Sequence, residues 1–134
     1  MQQGEETAGG IASALDGVLE SAELAVAVVG PNGAEQDAAA DELRESLAER
    51  APALTATRIK PDALTQDAGT ILAIMLGSSS VTVLATGLAS WLRRRSDFKL
   101  LLKRRKPTGE TIEMTLQGRP DEHTEQMLKD FLKG

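Results

Sequence analysis

Apolar positions recur along this chain at helical and at strand spacing. Ile11, Leu15, Val18 and Leu19 fall at three- and four-residue intervals and predict a short amphipathic helix over 11–22. Before it, Met1–Gly10 is too polar to bury a face and reads as a tail. ELAVAVVG (Glu23–Gly30) is a strand-length apolar run that stops at Gly-Pro-Asn-Gly. Ala39, Leu43 and Leu47 then line one side of a charged segment, predicting a helix over Ala34–Arg50. ALTATRIK (Ala53–Lys60) alternates as a strand does, and Pro61–Asp67 reads as a loop whose Asp67 caps a following helix. Phe98, Leu100 and Leu102 alternate with Lys99, Leu101 and Lys103, and Ile112, Met114 and Leu116 alternate with polar residues. Lys106-Pro-Thr-Gly-Glu110 between these two runs predicts a β-hairpin. A last helix opens at Pro120-Asp121 and buries Met127, Leu128, Phe131 and Leu132.

GTILAIMLGSSSVTVLATGLASWLRRR (Gly69–Arg95) carries no charge from Ala68 to Leu92. Its apolar length predicts one long central helix. Roughly 20 residues cross a bilayer, and Trp91 before Arg93, Arg94 and Arg95 resembles an interfacial anchor. Against a span, Gly77-Ser-Ser-Ser80, Thr82, Thr86, Gly87 and Ser90 make the second half polar. On a wheel, Ile74, Val81, Leu84, Leu88 and Leu92, with Ala85 and Trp91, form an apolar stripe. Ser78, Thr82, Thr86 and Ser90 form a small polar one. A helix docked on a sheet is the preferred reading. A membrane span, and a helix that self-assembles through its small polar face, stay open.

The expected order is β-α-β-α-β-β-α. Right-handed crossovers would make the first three strands parallel, and the hairpin would add an antiparallel one. The predicted fold is therefore α+β, with a four-stranded mixed sheet packed with helices. Residues 1–22 would be tail and short helix, and 23–134 a single domain.

Charge and composition narrow the function. The chain has 134 residues, no cysteine, one histidine and three aromatic residues, so its core must come from aliphatic side chains. Without cysteine there is no disulfide, thiolate nucleophile or thiolate metal site. The start is polar and acidic, with no basic segment of a secretory signal, and a cytoplasmic location is expected. The net charge of −5 is uneven: 13 acids and 4 bases in residues 1–67 give −9, and 7 acids and 11 bases in residues 68–134 give +4. Eight bases lie between Arg93 and Lys106.

Candidate chemistry is sparse. His123 sits beside Asp121, Glu122 and Glu125 with no nucleophile placed near it, and reads as a surface histidine. Ser78–Ser80 has no neighbouring base. GPNGAEQD (Gly30–Asp37) has the strand-to-helix context of a phosphate loop. It lacks the lysine and glycine spacing, and Glu35 and Asp37 stand where phosphate would lie. Asp37, Asp41 and Glu45 share a helix face, which reads as solvated rather than metal-binding. No catalytic residue, cofactor or metal is expected. The basic run Arg93–Lys106 contains one Phe for base stacking and is the weaker, nucleic-acid alternative.

LASWLRRRSDFKLLLK, GETIEMTLQG and DEHTEQMLKDFL, in that order, resemble the effector-associated constant component family of actinobacterial conflict systems. The resemblance spans about Leu24–Leu132 and is concentrated from Gly69 onward. It implies a non-catalytic adaptor that accompanies an effector protein or protease in defence signalling and self-associates. Ser78, Thr82, Thr86, Ser90, Trp91, Arg93, Arg94 and Arg95 are the expected interaction residues. A protein that anchors in or perturbs membrane through 69–92 is the alternative from another class.

Overall fold

The computed structural model describes residues 15–59 and 70–133. The expected tail, the first turn of the leading helix and the loop Pro61–Asp67 with its capping Asp67 lie outside the described residues. The elements are α1 (helical over 15–19), β1 (Leu24–Val29), α2 (Gly33–Arg50), β2 (Thr55–Ile59) and β3 (Thr70–Met75). They continue with α3 (Val81–Arg94), β4 (Lys99–Arg105), β5 (Thr111–Gln117) and α4 (Glu122–Lys133).

The expected long helix over 69–95 is instead a strand, a turn and a helix of 14 residues. Thr70, Ile71, Leu72 and Ile74 of β3 are buried, so both faces of this strand are apolar and no alternation marks it. The chain then turns at Gly77, whose φ is +60. A Cβ there would lie 2.5 Å from the Ala53 carbonyl oxygen, so only glycine fits. Ser80 stands in extended conformation and caps α3, its Oγ accepting from the Val83 N–H at 3.1 Å. No helix of the described residues is long and apolar enough to cross a membrane, which corrects the spanning reading of 69–92.

The sheet has five strands in the order β2-β3-β1-β4-β5, every neighbouring pair antiparallel, rather than four strands in a mixed sheet. β1 and β2 do run parallel, as do β3 and β4. Each such pair is separated by a strand running the other way, β3 in the first case and β1 in the second. Two interlocked split β-α-β units result, the connectivity called ferredoxin-like. The hairpin strand β5 and α4 are added at the β4 edge.

β1 separates two apolar clusters. Leu24, Val26 and Val28 face α2, α3 and α4, meeting Leu43, Leu47, Leu84, Leu88, Leu92 and Leu128. Ala25 and Ala27 face the other way, under Leu15, Val18 and Leu19 of α1. Trp91 and Phe98 hold two of the three aromatic rings together in the larger cluster, 5.9 Å between centroids and tilted by 57°. Gly87 marks the α2–α3 crossing, where a Cβ would come within 2.8 Å of the Leu47 side chain. In α4, Leu128 and Leu132 are buried as the periodicity predicts, but Met127 is 49% exposed.

Gly77→Ala is expected to lower stability by about 2 kcal/mol, the scale of one strained left-handed residue, and more if the Ala53 carbonyl cannot yield. Gly33→Ala, at the start of α2 with open space around it, serves as the control and should be neutral or slightly stabilising. Urea denaturation midpoints of the two variants test this.

Candidate functional site

From its middle to its C-terminal cap, α3 brings five of the eight expected interaction residues, Thr86, Ser90, Trp91, Arg93 and Arg95, into contact with neighbouring helices. Trp91 is fully buried, so its indole N–H needs a partner. It donates to Glu42 Oε1 of α2 at 2.9 Å. Arg95 reaches the same carboxylate from the C-terminal cap, with Nε to Oε1 at 2.8 Å and Nη2 to Oε2 at 3.2 Å. On the opposite side of α3, Arg93 Nε donates to the Pro120 carbonyl at 2.9 Å, and its Nη2 to Glu125 Oε1 at 2.8 Å. Glu125 also accepts from Thr86 Oγ1 at 3.4 Å. α3 is thus fastened to α2 through Glu42 and to α4 through Glu125.

The small polar stripe is dispersed by the break before α3. Ser78 lies in the turn and is exposed, as is Thr82. Thr86 faces α4, and Ser90 accepts from Arg50 Nη2 at 3.3 Å across the α2–α3 contact. Arg94 is exposed, beside Glu45, Ser46 and Glu49 in an open polar concavity that Glu42 and Arg95 also line.

The carboxylates of the clamp are held in their charged form. The Arg95 hydrogen bond holds Glu42 below its ordinary value, against partial burial, with help from the Trp91 N–H. Glu125 is lowered in the same way, first by Arg93 and then by Lys129 and Thr86. Asp121 is lowered because the Thr124 N–H at 2.8 Å bonds it at the start of α4.

The remaining candidates have local partners. Asn32 caps α2 by accepting from the Glu35 N–H at 2.9 Å, and the Gly30 N–H donates to Gln36 Oε1 at 2.9 Å. These bonds within Gly30–Asp37 are those of a capped strand-to-helix turn. Asp37 accepts from Thr70 Oγ1 at 2.6 Å, and Asp41 pairs with Arg58 at 2.9 Å. Among the described residues no group of three His, Asp or Glu could hold a metal ion. His123 is exposed at the start of α4.

Sequence reasoning missed Lys103. Its side chain is only 6% exposed, beneath α1, with Asp16 at 2.7 Å and Glu113 at 3.4 Å. Burial works against its charge, but the two carboxylates more than offset that and its pKa is raised. The available signal was the shared parity of Lys103 with Leu101, which packs in the α1 cluster. No protein-family model, curated protein or solved structure matches this chain.

A carboxylate whose folded pKa is depressed contributes stability above its unfolded value, and that contribution is lost as pH falls through the folded value. Glu125, lowered from 4.5 and 19% exposed, should therefore weaken the fold progressively below that pH. Glu125→Gln should be less stable at neutral pH and should show a flatter loss of stability on acidification. Glu42→Gln should behave alike but more weakly, since that carboxylate is 47% exposed. Urea midpoints measured across the acid range check both.

Proposed function

We propose that the chain is a non-catalytic adaptor that accompanies an effector protein in a bacterial conflict system. The reading rests on the resemblance of its Gly69–Leu132 block to the effector-associated constant component family. One structural observation supports it. The Trp-Leu-Arg-Arg-Arg segment on which the resemblance centres serves mainly to fasten helices together. Trp91 is buried and bonded to Glu42, while Arg93 and Arg95 are tied to carboxylates of neighbouring helices at the surface. Of the three arginines Arg94 is the most exposed and makes no ion pair among the described residues, beside the acidic side of α2. A rigid platform with a mixed-charge surface suits a charged protein partner.

A nucleic-acid reading finds less support, because the basic residues of 93–106 do not share one face. Lys103 is buried under α1, Arg104 donates to the Phe131 carbonyl at 3.1 Å, and Arg93 and Arg95 are ion-paired.

The test is co-purification of the tagged chain with the effector encoded beside it, followed by association kinetics. Arg94→Glu should slow association about tenfold at low ionic strength, and the difference should shrink with salt. An unchanged rate would remove Arg94 from the interface. Failure of any neighbouring effector to bind the intact chain would remove the adaptor reading.

A further inference from the structure

The edge strand β5 has a continuous register, and among the described residues no strand pairs with its outer side. All seven residues from Thr111 to Gln117 pair with β4 without a bulge, and none is proline. The strand ends at Gly118, whose φ is +77. Natural edges are ordinarily protected by proline, bulges or inward charges. Here the one charged side chain, Glu113, is drawn to Lys103.

The hairpin fixes which backbone groups face outward. The Lys106 N–H donates to the Glu110 carbonyl at 2.7 Å, so that pair is hydrogen-bonded. Antiparallel pairs alternate from there. Ile112, Met114 and Leu116 direct their N–H and C=O groups to β4. Thr111, Glu113, Thr115 and Gln117 direct theirs away from the sheet, where no described strand lies.

We propose that β5 pairs antiparallel with β5 of a second copy, about a two-fold axis through Met114, to make a continuous ten-stranded sheet. This inference stands independently of the adaptor reading. In this register Thr111 faces Gln117 of the other copy, and Glu113 faces Thr115. These are hydrogen-bonded pairs built from the outward-facing groups. Ile112 faces Leu116, and Met114 faces its own counterpart, all on the side of the larger apolar cluster. No like charges are opposed, as an isologous strand pair requires. Half-buried Ile112 and Met114 gain apolar neighbours.

The absence of cysteine makes a positional test simple. The two Met114 residues would form a non-hydrogen-bonded pair with Cα atoms about 4.5 Å apart, within disulfide reach. Met114→Cys should therefore oxidise to a covalent dimer, whereas Thr115→Cys, which faces Glu113 of the other copy, should not. Thr115→Pro removes an outward N–H and leaves the β4 ladder intact. It should give a folded monomer by circular dichroism and sedimentation. The proposal is overturned if the wild-type chain sediments as a monomer up to about 1 mM. It also fails if Met114→Cys does not cross-link, or if a folded Thr115→Pro remains dimeric. Should Thr115→Pro not fold, the cross-linking comparison alone decides.

Discussion

The burial of β1 on both faces governs the rest of the molecule. Five of its six residues are at most 2% exposed. Such a strand cannot carry a polar side chain on either side without a buried partner. Its larger residues, Leu24, Val26 and Val28, meet three helices, and its alanines meet α1. The small alanine face lets α1 approach closely enough to cover Lys103. Both neighbours of β1, β3 and β4, inherit the same requirement near their centres. Charge is therefore confined to strand ends, helix exteriors and the one place where Lys103 finds two carboxylates.

Elements were legible in the sequence where a polar face or a turn signal bounded them. The helix Ala34–Arg50, the hairpin and the final helix emerge from alternation or helical periodicity, and the strand Glu23–Gly30, apolar on both faces, from its length and its Gly-Pro-Asn-Gly stop. β3 is apolar on both sides and adjoins a helix that is also apolar on the side it buries, so 25 uncharged residues read as one element. The dividing signal was Gly77 followed by serines, which on a helical wheel counted as a small polar stripe. Missing that one strand changed the predicted sheet from antiparallel to mixed: the crossover β1-α2-β2 was placed correctly, but the second was started from β2 instead of β3. Met127 shows the reverse limit: its apolar character is visible in sequence, but its 49% exposure depends on the angle at which α4 meets α3.

The uneven charge of the two halves finds its explanation largely inside the chain. Acidic residues of the first half meet basic residues of the second at Glu42–Arg95 and Asp16–Lys103. Contacts separated by so much sequence cannot be read from local pattern, and they draw on the basic cluster that the sequence offered to partners. The exposed pair Glu42–Arg95 contributes little to stability by itself. Its effect is directional. Glu42 is the acceptor of the buried Trp91 N–H among the described residues, and Arg95 then neutralises the charge that this carboxylate brings.

This arrangement separates holding the fold from meeting partners. Changes to Trp91, Arg93 or Arg95 each take a donor from a carboxylate, Glu42 or Glu125, so their effects on binding cannot be told from effects on helix packing. Arg94 and the outer edge of β5 lack that entanglement. Arg94 lies at the α2–α3 surface, whereas β5 ends the sheet at the far side of β4, so the two are structurally independent. The first acts through screened charge and the second through backbone hydrogen bonds and apolar contact. Ionic strength should therefore weaken one association while leaving the other nearly unchanged.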